Sequence, residues 1–84
     1  MFKKVDLKNG MVVQVNNGSK RLFFEGRLID DKGDIYLDRY DENLKHLSRL
    51  FADFDIDKIY ILKDINALTA ISDNNNLIEI WSRY

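Results

Sequence analysis

Residues 11–26, MVVQVNNGSKRLFFEG, hold two apolar runs separated by an Asn-Asn-Gly-Ser cluster, and the expected architecture follows from how this stretch folds. In an extended chain Met11, Val13 and Val15 share one face, and the residues between them share the other. The Asn-Asn-Gly cluster tolerates the positive φ values that tight turns between antiparallel strands require. The stretch therefore predicts a β-hairpin with Gly18 at its corner.

The alternative for Gly18 is a glycine-rich loop that holds a phosphate group. Such loops need further glycines at fixed offsets and lead into a helix, whereas strand-like apolar and aromatic residues follow Gly18. We therefore expect residues 20–29 to form one long returning strand. Gly26 interrupts it, and a bulge or sharp bend there would let the strand turn a corner.

Three later segments also have strand character. The turn signal Asp-Asp-Lys-Gly at residues 30–33 precedes a short strand over residues 34–37, which completes an antiparallel meander. Residues 57–62 alternate β-branched and polar side chains, and apolar residues recur over residues 77–81. Five short strands, tight turns and little helix predict a mainly β fold, either a small curled sheet or a barrel.

Two segments predict short helical turns. Asp41 is placed to cap the first, whose apolar residues would form one stripe. The members of that stripe are Leu44, Leu47, Leu50 and Phe51. Residues 64–71 would form the second turn, with Asp64 as its cap.

Length and composition limit the possible classes of protein. The 84 residues suffice for a single domain, residues 1–84, and the chain has no cysteine, which fits a reducing compartment and excludes disulfides and thiolate chemistry. The first residues do not resemble a secretory signal, and no apolar run approaches the length of a membrane span. We expect a soluble, cytoplasmic protein.

The net charge of −1 hides an asymmetry, because residues 1–27 carry a balance of +4 and the remainder −5. A basic region of this kind would attract an acidic partner, including the acidic region of a second copy of the chain. The candidate basic face consists of Lys3, Lys4, Lys8, Lys20 and Arg21. The alternative is an ordinary mixed surface, since blocks of like charge are absent.

Acidic residues alternate along Asp53, Asp55 and Asp57, and Asp64 follows at a spacing that resembles a calcium-binding EF-hand loop. The pattern fails where the loop needs glycine, because Lys58 stands there, and strand-like residues follow. We predict an exposed acidic entrance to a strand and no metal or cofactor.

His46 is the only histidine, so a metal site would lack a second imidazole. On a short helix it would lie near Glu42 at the surface. Asp41, His46 and Ser48 are too close in sequence to define a nucleophile, a base and an oxyanion site. We therefore predict no catalytic residues and no enzymatic activity.

The chain has more aromatic residues than so small a core can bury. Phe23 and Phe24 are neighbours in a strand and cannot face the same way, so one ring should be partly exposed. The candidate contact residues for a partner are Phe23, Tyr36, Tyr40 and Tyr60. Exposed, they would form a groove for a peptide or a stacking platform for single-stranded nucleic acid; alternatively, residues 44–51 and 68–71 cover them.

Four segments, DLKNGMVVQVNNGSKRLFF, DIYLDRYDENL, FDIDKIYI and LIEIWSRY, resemble a group of short, uncharacterised proteins encoded by bacteriophages and prophages of low-GC Gram-positive bacteria. The positions that match are Leu7, Gly10, Met11, Val13, Leu37, Asp38, Tyr40, Asp55, Ile56, Ile59, Tyr60, Trp81 and Arg83. The resemblance covers most of residues 5–83 and departs at residues 50–54 and 63–76. It implies an SH3-like barrel and supplies no catalytic residues.

The strand pattern predicts a small five-stranded antiparallel fold that acts by contact, and the resemblance implies that it is an SH3-like barrel. Its expected function is that of a non-catalytic protein-interaction module, with an unidentified protein or a second copy of the chain as partner. The alternative is an accessory nucleic-acid-binding protein that uses the basic face defined above.

Overall fold

In the computed structural model, which describes residues 2–64, 71 and 73–84, the chain forms one open antiparallel sheet of six strands. The strands are β1 (Val12–Val15), β2 (Lys20–Phe24), β3 (Arg27–Asp30), β4 (Gly33–Tyr36), β5 (Ile56–Leu62) and β6 (Leu77–Ser82). Their order is β4-β3-β2-β1-β5-β6, so β4 and β6 lie at the two edges. The mainly β fold is confirmed. The SH3-like five-stranded barrel is not, because the sheet does not close.

Short 3₁₀ turns supply the helical residues of the described ranges. They cover Lys4–Asp6, Leu37–Arg39, Arg49–Phe54 and Asn74–Asn76. Among the residues that the structure describes, no helix is long and apolar enough to cross a lipid bilayer.

Gly18 is the hairpin corner that the sequence predicts. It has a φ of 92°, and its N–H donates a hydrogen bond of 2.8 Å to the carbonyl oxygen of Val15 at the end of β1. The register Val12↔Leu22 then aligns β1 with β2. Glycine is favoured at this corner because side chains strain a backbone with positive φ.

The single strand predicted over residues 20–29 is wrong, because a second hairpin divides it. Phe24 pairs with Arg27, which leaves a two-residue loop of Glu25 (φ 49°) and Gly26 (φ 78°). Two positive φ values define the type I′ turn that matches the twist of antiparallel strands. The Glu25 N–H donates to the Oδ1 atom of Asn9 at 2.8 Å, and this bond supports the strained conformation. The second hairpin accounts for the sixth strand.

An extra residue in β5 sets which of its side chains are buried. β1 pairs with β5 at Gln14↔Lys58 and Val15↔Ile56, so Asp57 is a bulge. Without a bulge, side chains three positions apart in a strand face opposite ways. The bulge returns Ile56 to the face of Ile59, and both are completely buried. β1 is one of the two central strands, and Val12 on its opposite face is buried as well.

The core packs against one face of the sheet and includes residues from the loop between β4 and β5. Its buried members are Leu7, Val13, Val15, Phe23, Leu28, Tyr40, Leu44, Ile56 and Ile59. Tyr40 and Leu44 are therefore the points at which that long loop is anchored to the sheet.

Short helical turns are present as predicted, but the turn that Asp41 is predicted to cap begins only at Arg49. The Asp41 carboxylate accepts hydrogen bonds from the N–H groups of Asn43 and Lys45, which gives the backbone an alternative to helical bonds. Leu44 has a φ of 68° and is the only buried member of the predicted stripe. The exposed members are Leu47, Leu50 and Phe51. The second predicted helical turn, over residues 64–71, lies largely outside the described residues.

Candidate interaction groove

A groove runs between the edge strand β4 and residues 46–54. Three adjoining concavities of about 240, 340 and 380 Å³ form it. His46 lines all three, and Ile35 and Phe51 line two of them. We call this feature the β4 groove.

Aromatic rings form a continuous series along the β4 groove. The centroid of the His46 ring lies 5.3 Å from that of Tyr40 and 5.3 Å from that of Phe51, and Phe51 lies 6.2 Å from Phe54. Tyr40 is buried beneath the groove, whereas Phe51 is half exposed. Together with Ile35 these rings give the groove an apolar wall.

Asp55 holds the segment that carries these rings. Its carboxylate accepts a hydrogen bond from the His46 N–H at 2.8 Å and two from the Arg49 guanidinium at 3.1 and 2.8 Å. Burial alone would raise the pKa of Asp55, but the bonds from Arg49 and His46 outweigh burial and hold the pKa below its ordinary value. Hydrogen bonding to Asp55 likewise raises the pKa of Arg49. The segment therefore depends on a charged Asp55.

Tyr40 ties the same segment to the core. Its hydroxyl donates to the carbonyl oxygen of Phe54 at 2.6 Å, and only 1% of the residue is exposed. Burial raises the pKa of the Tyr40 hydroxyl, so it stays protonated and remains a donor. The Leu47 N–H adds a bond of 2.8 Å to the carbonyl oxygen of Arg39.

His46 is half-buried in the groove and not on the helix surface that the sequence predicts. Its Nδ1 atom accepts a hydrogen bond of 3.0 Å from the backbone N–H of Ser48, so the Nε2 atom carries the proton of the neutral ring. The Asp41 carboxylate is bonded to backbone N–H groups of its own turn. The hydrogen bonds that involve Asp41, His46 and Ser48 thus stabilise the backbone of the loop.

Arg21 closes one end of the groove. Its guanidinium lies 3.1 Å from the Asp30 carboxylate, donates to the carbonyl oxygen of Gly33 at 3.1 Å and stands 5.6 Å from the centroid of the Phe54 ring. Only 7% of Arg21 is exposed. Arg21 therefore organises the groove from below and is already paired with an acid.

The backbone of β4 presents hydrogen-bonding groups beside the groove. In an antiparallel edge strand, alternate residues direct their N–H and C=O groups away from the sheet. The Leu37 N–H donates inward, to the carbonyl oxygen of Gly26 at 2.8 Å, which fixes the phase of this alternation. Asp34 and Tyr36 are consequently the residues of β4 whose backbone groups point outward.

The four predicted contact residues do not come together. Phe23 and Tyr40 are buried in the core and do not lie on the exposed surface that a partner contact needs. Tyr60 is half-buried on the sheet face that carries Val12, and its hydroxyl donates to the Oε1 atom of Gln14. Tyr36 is 57% exposed and borders the β4 groove.

Phe23 and Phe24, which are adjacent in β2, face opposite sides of the sheet, as predicted. Phe23 faces the core, and Phe24 is the ring that is partly exposed, at 39%. This division confirms the expected alternation along β2.

The five predicted cations do not form one face. Lys20 and Arg21 are neighbours in β2 and point to opposite sides of the sheet, and Arg21 is buried. Lys3 and Lys4 donate to Asn43 and Tyr40, and Lys20 donates to Asn74. Lys8 is exposed. This separation gives no support to the nucleic-acid alternative.

The three alternating aspartates, like the five cations, do not form one cluster. Asp53 is exposed, Asp55 binds Arg49, and Asp57 lies 3.7 Å from Arg83. In the part of the chain that the structure describes, no three His, Asp or Glu side chains are grouped to hold a metal ion.

Sequence reasoning missed Ile35, Phe51 and Phe54 as groove residues. A usable signal lies in SRLFADF, residues 48–54, where apolar side chains recur in a segment too polar and too short for a buried strand. Apolar residues that remain exposed beside a free sheet edge indicate a contact surface.

No protein-family model matches the chain, and comparisons with curated proteins and with solved structures found no significant match. The resemblance to short bacteriophage proteins stays a prediction.

Proposed function

We propose that this protein is a small, non-catalytic interaction module that binds an extended segment of a partner protein along the outer edge of β4. The observation that carries this proposal is the juxtaposition of outward backbone groups at Asp34 and Tyr36 with the apolar β4 groove. The partner segment would add a seventh strand to the sheet.

Strand addition divides recognition between backbone and side chains. Hydrogen bonds between the main chains supply affinity, and pockets for alternate side chains supply specificity. At the β4 groove, Ile35 and Phe51 offer aliphatic and aromatic contacts to every second side chain of the added strand. The preferred partner is a segment with apolar residues at alternate positions.

The opposite edge of the sheet is less suited to strand addition. β6 pairs with β5 at Ile59↔Trp81 and Tyr60↔Glu79, so Ile80 is an extra residue and the edge is bulged. Bulges twist an edge strand away from a flat partner. β4 pairs with β3 over four consecutive positions without such an irregularity.

Substitutions at Tyr36 separate the backbone contribution from that of the side chain. Tyr36 has a φ of −74°, which proline adopts without strain, and its N–H points away from the sheet. Tyr36→Pro therefore removes one outward donor and the ring, and Tyr36→Ala removes the ring alone. The probe is a peptide selected for binding from a display library of random peptides about 12 residues long, which spans an edge strand of typical length.

We expect Tyr36→Pro to bind the selected peptide about tenfold more weakly than Tyr36→Ala, because an unpaired main-chain acceptor costs about 1.4 kcal/mol. Fluorescence anisotropy measures the two dissociation constants. Ile78→Ala, on the opposite edge, is the control and should bind like the wild type. Equal affinities of the proline and alanine variants, or a selection that yields no peptide sensitive to either, would contradict the proposal.

A further inference from the structure

We infer that a second copy of this chain is one partner of the β4 edge, and that β4 pairs with its own copy about a two-fold axis at Ile35. The inference rests on the proposed function, because it names an occupant of the same edge. A two-fold dimer is the commonest symmetric assembly and brings one surface against itself. An antiparallel strand pair has this symmetry.

The phase of the backbone limits the possible registers. Only Asp34 and Tyr36 point outward, so in a symmetric pair they must meet each other or themselves. Asp34 opposite its own copy would place two carboxylates side by side, which is destabilising. Tyr36 opposite its own copy would align Asp34 with Asp38, which belongs to the 3₁₀ turn Leu37–Arg39 and is not extended.

The remaining register pairs Asp34 with Tyr36 of the partner copy. Asp34 and Tyr36 of each strand then form main-chain hydrogen bonds with the other copy, and Ile35 lies opposite its own copy. Arg27 pairs with Tyr36 inside each sheet and lies 3.2 Å from the carboxylate of Asp34. Across the joined sheet each tyrosine ring would therefore separate an arginine from an aspartate of the other copy. The two Asp34 carboxylates are diagonal and not direct neighbours, and each is already paired with the Arg27 of its own sheet.

The same register covers apolar surface. The two Ile35 side chains would meet on the groove side, beside Phe51, which is 49% exposed. On the opposite face of the sheet, the joined strands would cover part of the Tyr36 ring, which is 57% exposed. The contact is nevertheless small, because β4 has only four residues. Interfaces of this size are weak, so the dimer should form in a concentration-dependent way and compete with other segments for the edge.

Cysteine cross-linking tests the register, because the chain has no cysteine of its own. Opposed residues that do not exchange hydrogen bonds have Cα atoms about 4.5 Å apart, within the range of a disulfide. Ile35→Cys should therefore form a covalent dimer in a glutathione redox buffer. Asp34→Cys is the matched control, since it lies opposite Tyr36 and its two copies are too far apart. We expect it to cross-link at least tenfold more slowly.

Sedimentation velocity supplies a second readout that needs no new thiol. The wild type and Tyr36→Ala should show a dimer fraction that grows with concentration, and Tyr36→Pro should remain monomeric. Faster cross-linking of Asp34→Cys than of Ile35→Cys, or a wild type that stays monomeric, overturns this inference.

The outcome separates the two proposals. A monomeric wild type that still binds the display-selected peptide, with loss in Tyr36→Pro, overturns the self-pairing alone. A wild type that neither dimerises nor binds the peptide overturns both. If self-pairing is correct, saturating peptide should convert the dimer into a peptide-bound monomer.

Discussion

Replacing Tyr40 with phenylalanine removes one oxygen atom from the interior and, with it, one of the hydrogen bonds that hold residues 46–54 beside β4. The Tyr40 hydroxyl donates to the Phe54 carbonyl oxygen at 2.6 Å, and Tyr40 is 1% exposed, so water has little access to the position of the lost donor. A buried carbonyl left without a partner costs about 1–3 kcal/mol. We therefore expect the free energy of unfolding of Tyr40→Phe to fall by about 2 kcal/mol.

Urea denaturation followed by tryptophan fluorescence measures this loss, because Trp81 is the only tryptophan and packs against the core. A domain of this size loses about 4–8 °C of Tm for each kcal/mol, so thermal unfolding offers a second measurement. A fall of about 10 °C corresponds to the expected value.

Tyr36→Phe is the control for Tyr40→Phe, because Tyr36 is 57% exposed and its hydroxyl contributes nothing that water cannot supply. Its unfolding free energy should change by less than about 0.5 kcal/mol. The reasoning is refuted if both variants lose the same amount, or if Tyr40→Phe loses less than about 0.5 kcal/mol.

Three further perturbations follow from particular contacts. Glu25→Asn should raise the Tm and increase the free energy of unfolding by about 1 kcal/mol, because asparagine adopts a φ of 49° with less strain than glutamate. A lowered Tm would contradict the type I′ turn. The pKa of Asp55 lies below its ordinary value of 3.8 in the folded state, so its stabilising effect is present above that pH and is lost as the pH falls through the folded pKa. Urea denaturation at a series of acid pH values should show that the unfolding free energy depends less on pH in Asp55→Asn than in the wild type. An equal pH dependence in the two proteins would refute this role of Asp55. Arg83→Ala should lower the unfolding free energy by about 2 kcal/mol, because its guanidinium donates to the Ile56 carbonyl oxygen at 2.7 and 3.2 Å; a loss below about 0.5 kcal/mol would show the contact to be unimportant.

Local sequence patterns predict the strands well and the turns unevenly. The Asn-Asn-Gly cluster identifies the corner at Gly18, because those residue types favour positive φ. The corner at Gly26 is harder to recognise, since its partner in the turn is Glu25, a residue that rarely adopts a left-handed conformation. The predicted bulge at Gly26 and the five-stranded count both fail for this reason.

Tertiary contacts override the helical spacing of the apolar residues after Asp41. Leu44 is buried because the Asp41 carboxylate bends the chain into a tight turn, whereas Leu50 at the predicted spacing is 93% exposed. A periodic pattern of leucines does not distinguish these outcomes. The competing factor is the hydrogen bonding of a single side chain to the backbone.

The candidate site depends on contacts between distant residues, so sequence reasoning recovers only part of it. Tyr36 and His46 are singled out by residue type, but their place in one groove follows from the path of residues 46–54 along β4. The bonds of Asp55 to Arg49 and to His46 fix that path. Spacing along the chain gives no indication of these bonds.

The outward N–H groups of Asp34 and Tyr36 can be followed individually by amide hydrogen exchange, using NMR on dilute protein with and without the display-selected peptide. If a partner segment adds to the edge of β4, both amides should exchange more slowly in the complex, and those of β6 should be unchanged. Unaltered exchange at Asp34 and Tyr36 in a saturated complex, or protection that appears only along β6, would contradict binding at this edge.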